Sequence, residues 1–558
     1  MINQFYVLNK LLGLFFCFLL PVNIFCGMDS LSFVNDNGIT SGVHEQNTGK
    51  VTFMSVPVPI EKYTEADFLS SFEISDTCDF NIRVFLKRSL TNELHTLAPS
   101  LTADVLTANG NYSFTFYVDG KKIYNENLNP GAGSVESKNT ATVFRVPLIS
   151  STGEDSWGRF LWQRFWFGGG EDALSDGTHR LRIEISPYVK QTDVITGNII
   201  AEGEIDITLK KPFVSAEQIE VQPIAPAEGW NVSNENYNKE LIRELNRKIL
   251  QNSFKQITGI VVIKNGNLLL EEYFNGAGRD SLHDTRSVGK SFASAIMGIA
   301  IADGYIKNEI QTLETFYDLS SYSNFSLAKN RVTLKSLLTM SSGFLGSDID
   351  QSSPGNEENM YPTPDWVKFT LDLPMDSSKT MGKSWDYFTA GVVVIGDILN
   401  KTVPGGLEKY AAKKLFKPLG IINYQWEYTP QGVANTAGGL RMRCIDYARF
   451  GQLYKDGGLY NGKQIIPANW VKKSLSPLLQ VPVSETDYYG YLFWNSVFTV
   501  NGKKYQAAYS SGNGGNKIYI FKDVPIVVVI TSTAYGMPYA HRQVNKIMEE
   551  YILPSVLD

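Results

Sequence analysis

Ser287-Val288-Gly289-Lys290 opens the stretch 287–302, SVGKSFASAIMGIAIA, and its reading decides the fold of the surrounding chain. Phe292, Ile296 and Ile299 recur at helical spacing and the run stops at Asp303-Gly304, so the pattern predicts a helix over about 287–302. Three residues is about one helical turn, which turns Ser287 and Lys290 the same way. A helix N-terminus offers free backbone N–H groups and a dipole that favours negative charge, which suits a serine alkoxide and a tetrahedral oxyanion. A lysine held there, partly withdrawn from water, has its charged form disfavoured and can act as a base. The same four residues equally describe a helix cap followed by a solvated lysine, so the reading depends on what lies around them.

Outward from this helix, Ile260–Lys264 and Leu268–Phe274 flank Asn265-Gly266, a hairpin signal. Near the C-terminus, Lys517–Phe521 and Ile526–Thr531 read as another strand pair, followed by a helix over about 540–552. Residues from about 305 to 480 read as mostly helical with long loops. Sheet-forming segments at both ends of 239–558 must pair into one antiparallel sheet, with a helical insertion beside it. Residues 214–238, with Pro223, Pro226 and Gly229 and little periodicity, read as a linker. Before it, 50–213 reads as an all-β, sandwich-like domain. Phe80, Ile82, Val84 and Leu86 alternate, as do Leu181, Ile183 and Ile185, and Asp119-Gly120 sits at a hairpin turn within 111–124. One segment there, Trp157–Phe167 (WGRFLWQRFWF), reads as packing for the sandwich or a domain interface, with a sugar-stacking or docking surface as the alternative.

At the N-terminus, Lys10 precedes the apolar run Leu11–Leu20, too short to span a bilayer comfortably and suited to a signal peptide over 1–27. The expectation is an exported protein, periplasmic or extracellular. Its membrane contact would be limited to the signal peptide or a lipid anchor at Cys26. A chain of 558 residues exceeds one ordinary core. Its net charge of −6, with no dense basic run, gives nothing that favours nucleic acid, and no nucleic-acid partner is expected. The four cysteines, 17, 26, 78 and 444, suggest neither a disulfide framework nor a zinc site.

Other chemistries lack their motifs. No G-x-S-x-G or HExxH occurs, and the Gly-Lys-Ser triplets at 289–291 and 382–384 lack the glycine five residues earlier that a phosphate loop needs. Only His283 and His541 follow the linker, neither in a recognisable triad context. Two further stretches do stand in order behind Ser287: Trp385–Gly396, WDYFTAGVVVIG, and Tyr509–Asn516, YSSGNGGN.

S-x-x-K, then Y-x-N heading a helix, then K-T-G or a variant on the last strands, is the order in serine β-lactamases and penicillin-binding proteins. Over about 240–555 the chain resembles this superfamily. It looks most like the class C branch and its esterase and amidase relatives, including the 6-aminohexanoate-dimer hydrolase group. Val332–Gly343 and Thr436–Met442 are similar to further family landmarks. The resemblance implies an α+β fold, an antiparallel sheet flanked by helices plus a helical subdomain. It implies that Ser287 is the acylated nucleophile, Lys290 its proton acceptor, and Tyr387 a partner in proton transfer. The oxyanion donors would be the backbone N–H groups of Ser287 and Asn513, with Gly512, Ser511 and Thr389 beside the substrate. Two positions depart from the pattern: Thr389 stands where the family has Asn, and Ser510-Ser511-Gly512 where β-lactamases have Lys-Thr-Gly. The missing lysine argues against a penicillin-recognising or D-alanyl peptide-processing enzyme. The expected activity is therefore an exported serine hydrolase acting on a small ester or amide, with no cofactor and no metal. The remaining alternative is a non-catalytic surface-binding protein.

Overall fold

The computed structural model describes residues 33–557, apart from 60, 76–77, 153–155, 176, 226–228 and 483. The proposed signal peptide and Cys26 lie outside the described residues. The chain divides into two compact units, with the boundary between Lys210 and Lys211.

In the first unit, the strands Ser71–Ile74, Ala201–Leu209, Thr178–Lys190, Gly110–Val118 and Lys121–Asn127 lie side by side in that order. A second sheet holds Val51–Met54, Phe80–Phe85 and Val143–Ile149. Alternation sends Phe114 and Phe116 of one sheet and Phe80 and Ile82 of the other into one core. Gly203 allows close approach, because a Cβ there would lie 1.8 Å from the Val51 carbonyl oxygen. The unit is β-rich but not free of helix: short helices run over Leu90–Leu97, Ala103–Asn109 and Trp157–Phe165, among others. The last is the aromatic segment. Ser156 caps it, accepting from the Arg159 N–H, and Leu161, Trp162 and Phe165 fall on one face. Phe165 stacks on Phe116 with ring centroids 4.5 Å apart, so this face packs the core, while Phe160 and Phe167 stay exposed.

The second unit is built on an eight-stranded antiparallel sheet. Its order is Asn267–Tyr273, Ile257–Lys264, Ile526–Ser532, Asn516–Phe521, Lys503–Gly512, Trp494–Val500, Tyr488–Tyr489 and Leu479–Gln480. The N-terminal hairpin thus pairs with the last strand, Val261 opposite Val529. Both faces are covered, so the central strands are apolar throughout. Ile260, Tyr519 and Val528 face a cluster containing Ile242, Leu245, Val544 and Ile547 of the terminal helices. Val261, Ile518 and Val527 face a cluster containing Phe292 and Ile296 of the helix Gly289–Ala302 and Phe450 of the helix Cys444–Lys455. Part of the stretch read as linker is tied to this sheet. Ser233 N donates to the Leu268 carbonyl and Leu268 N to that of Asn231, both at 2.8 Å. Gln222 bonds both backbone polar groups of Tyr273. An otherwise bare sheet edge is covered in this way.

Candidate active site

Ser287 sits in a short 3-10 turn, Arg286–Val288, that runs into the helix Gly289–Ala302. Arg286 has φ +47°, a left-handed conformation unusual for a side-chain-bearing residue and costing about 1–3 kcal/mol. Two glycines clasp this turn. A Cβ on Gly512 would lie 2.4 Å from the Thr285 carbonyl oxygen and 3.3 Å from Ser287 N, and one on Gly438 would lie 3.1 Å from the Arg286 carbonyl carbon. The absent side chains let the end of the strand Lys503–Gly512 lie directly against the Ser287 backbone. That strand's partner on one side, Trp494–Val500, ends opposite Tyr509, so residues 510–512 project beyond it.

Lys290 is 1 % exposed, and its Nζ donates to Ser287 Oγ at 2.8 Å and to the Ala437 carbonyl at 2.7 Å. The Ser287–Lys290 spacing expected from the helix is therefore realised as a direct hydrogen bond. Ser287 itself is only half-buried. Tyr387 precedes the helix Thr389–Thr402, with its ring 5.3 Å from Lys290 Nζ and stacked against Trp494 at 5.7 Å. Its backbone is held from several sides. Asp386 N donates to the Met340 carbonyl at 2.8 Å, within the 332–343 stretch, and Asp348 N donates to the Tyr387 carbonyl at 2.8 Å. The Ser287 hydroxyl, the Lys290 amine and the Tyr387 ring thus converge.

The backbone N–H groups of Ser287 and Asn513 have no acceptor among the described residues, which leaves both free to hold an oxyanion. The Asn513 side chain is used to fix its own turn, Oδ1 accepting from Gly536 N at 2.8 Å and the backbone carbonyl accepting from Asn516 at 3.0 Å. Thr389 is 1 % exposed. Its N–H donates to Asp348 Oδ2 at 2.7 Å, and its hydroxyl is buried without a partner. Ser510, standing where β-lactamases have lysine, is buried and donates to Ser291 Oγ at 2.8 Å, tying the strand to the nucleophile helix. Ser511 is half-buried and lies directly opposite Lys517 on the next strand. Burial pushes the Lys517 amine down to about 7 against the opposing pull of Asp487.

Neither histidine forms a triad with Ser287. His283 lies 3.1 Å from Thr258 Oγ1, has its other ring nitrogen buried without a partner, and is pushed down by burial to about 4. His541 lies exposed on the helix Ala540–Ile547. No cluster of three or more metal-ligating side chains and no membrane-length apolar helix occur among the described residues. Asp348, Trp494 and the Ala437 carbonyl were not singled out as site groups by sequence reasoning. Only Ala437 carried a signal, as part of the 436–442 stretch.

A family model described as Beta-lactamase matches residues 246–549 of the chain. A curated relative, "Putative penicillin-binding protein PbpX" of Bacillus subtilis (strain 168), is 24% identical over 228 residues, covering 36% of this chain and 56% of that protein. The chain thus spans about half the length of the curated relative it matches. Similar solved structures include a "Putative 6-aminohexanoate-dimer hydrolase from Bacillus anthracis", 20% identical over 52% of this chain and 78% of that one, with a TM-score of 0.44. An octameric penicillin-binding protein homologue from Pyrococcus abyssi is 17% identical over 55% and 76%, with a TM-score of 0.43.

Proposed function

Since the chain belongs to the beta-lactamase family, we propose that it is a serine hydrolase cleaving a carboxylic ester or small amide through an acyl-enzyme on Ser287. The observation that carries this reading is the 2.8 Å hydrogen bond between Lys290 Nζ and Ser287 Oγ, made by a lysine with almost no solvent contact. In the first step Lys290 accepts the Ser287 proton while Oγ attacks the carbonyl carbon. The developing oxyanion lies between the N–H groups of Ser287 and Asn513. Tyr387, beside the amine, relays a proton to the departing alcohol or amine. Water then attacks the acyl-enzyme and restores Ser287. The proton that Lys290 takes from Ser287 thus leaves with the alcohol or amine, the attacking water gives its proton to the Lys290–Tyr387 pair, and that proton returns to Ser287 Oγ as the acid departs; no step needs a metal or an organic cofactor.

Ser510 supports an ester or small-amide substrate over a β-lactam, because an uncharged hydroxyl bound to Ser291 replaces a lysine. Export by way of Leu11–Leu20 belongs to the same proposal and is checked by fractionating cells that express the full chain. The test of activity is hydrolysis of a short-chain p-nitrophenyl ester by the full chain, by Ser287→Ala, and with nitrocefin alongside. Ester turnover that disappears in Ser287→Ala, with little nitrocefin cleavage, is the expected result. Rapid nitrocefin cleavage would move the assignment to β-lactams. A folded protein with neither activity and no serine-directed fluorophosphonate labelling would point to a binding protein.

A further inference from the structure

A half-buried carboxylate that the mechanism above does not use holds the segment that carries Tyr387. Asp348 belongs to the loop before the helix Glu357–Met360 and holds the Tyr387 segment on both sides of Phe388. Its N–H donates to the Tyr387 carbonyl at 2.8 Å, and its Oδ2 accepts from Thr389 N at 2.7 Å. Oδ1 accepts from Glu357 N at 2.9 Å. Both oxygens therefore accept from amides, an arrangement that suits the ionised carboxylate. The helix Thr389–Thr402 has no side-chain cap from its own N-cap residue, Phe388, so Asp348 supplies the acceptor from elsewhere in the chain.

Lys290, by contrast, hydrogen-bonds only to neutral oxygens, those of Ser287 and Ala437, and forms no ion pair among the described residues. When it takes the Ser287 proton, the O–H bond breaks, an N–H bond forms, and a buried ammonium results. Such a charge is costly without a counter-charge. We propose that Asp348 is a positioning residue that fixes Tyr387 beside Lys290 and supplies the negative charge toward which the Lys290 ammonium develops. Burial raises the Asp348 carboxyl, and the Thr389 donor and the Lys290 charge oppose that rise. The other groups facing Asp348 are Glu357, whose charge raises it, and Tyr361, whose hydroxyl donates to Glu357 Oε2 at 2.7 Å. Arg286 acts on Tyr361 from the nucleophile's turn.

This inference rests on the serine-hydrolase reading. Its test is the pH dependence of ester hydrolysis by the full chain as wild type, Ser287→Ala, Asp348→Asn and Asp348→Glu. Removing the negative charge takes away an attraction for the ammonium that forms when Ser287 gives up its proton. In Asp348→Asn the acid limb of kcat/KM is therefore expected to move down by about one pH unit while kcat falls about 10–100-fold at its optimum. Asp348→Glu keeps the charge, and its limb is expected to stay at the wild-type position. A loss of kcat with the limb unmoved in Asp348→Asn, or wild-type kinetics in that variant, would overturn the proposal and leave the serine-hydrolase reading intact. If Asp348→Asn does not fold, Asp348→Ser, whose hydroxyl can still accept from one amide, carries the same expectation. A wild type without Ser287-dependent turnover would remove the serine-hydrolase reading and this inference with it.

Discussion

Lys138 in the first unit is 4 % exposed, and its ammonium donates to three carbonyls: Thr107 at 2.8 Å, Gly110 at 3.2 Å and Pro130. Lys290 in the second unit is 1 % exposed and donates to one carbonyl and one serine hydroxyl. An ammonium has three N–H groups. Lys138 spends all of them on backbone oxygens, so it ties the helix Val135–Thr140 to the end of the helix Ala103–Asn109, to the start of the strand Gly110–Val118 and to Pro130. Lys290 makes two such bonds, one of them to an oxygen that can itself lose a proton. Equal burial therefore says little about role. The chemistry of the acceptors separates a structural lysine from one placed to move a proton.

The largest effect that would break this comparison belongs to Lys290. Lys290→Ala is expected to lower kcat/KM for the p-nitrophenyl ester by about 10³-fold or more, with the melting temperature nearly unchanged. Lys138→Ala should do the reverse. Ester kcat/KM stays within about twofold of wild type, while urea unfolding shows the first unit destabilised by about 2–4 kcal/mol, since three carbonyls lose their donor. If Lys138→Ala lost activity and kept its stability, acceptor chemistry would not distinguish the two sites. Gly512→Ala sharpens the second half of the comparison. Its Cβ would displace the strand from the Thr285–Ser287 turn, and kcat is expected to fall about 100-fold, comparable to removal of an oxyanion donor. Unchanged kcat in a folded Gly512→Ala would mean the strand end does not form part of the oxyanion site.

The smallest effect concerns a third buried amine. Lys517 is 5 % exposed, with burial holding its pKa near about 7, below the 10.5 of a solvated lysine. Between these values the unfolded chain binds more protons than the folded one, so stability rises with pH over that interval. The contribution is most favourable above 10.5 and is lost as pH falls through about 7. Lys517→Met is therefore expected to stabilise the protein by about 1–3 kcal/mol at pH 7, with the gain shrinking toward pH 10. Equal unfolding free energies at pH 7 would show that the folded state carries the charge at no cost.

Much of the second unit was legible because its signals are local. Asn265-Gly266 marks the hairpin, and the apolar runs at 260–264 and 526–531 mark strands that the structure extends to Ile257–Lys264 and Ile526–Ser532. The first unit was less so. Its strands alternate visibly, but Trp157–Phe165 is helical, inside a stretch otherwise read as all strand. The helical spacing of Leu161, Trp162 and Phe165 becomes decisive only where Phe116 and Phe80 receive the rings of Phe165 and Trp162.

For the site, the sequence by itself determined Ser287 and Lys290 one turn apart, the Tyr387 stretch ahead of a helix, and a glycine-rich turn after Gly512. Each is a property of spacing within a few residues. Tertiary structure decided which groups meet them. The Ala437 carbonyl reaches Lys290 across 147 positions, and Asp348 reaches the Tyr387 segment across 41. Such contacts depend on where a sheet and two helices place atoms to within a fraction of an ångström. Spacing along the chain carries no information on that scale, because a hydrogen bond between distant residues is set by the packing of everything between them.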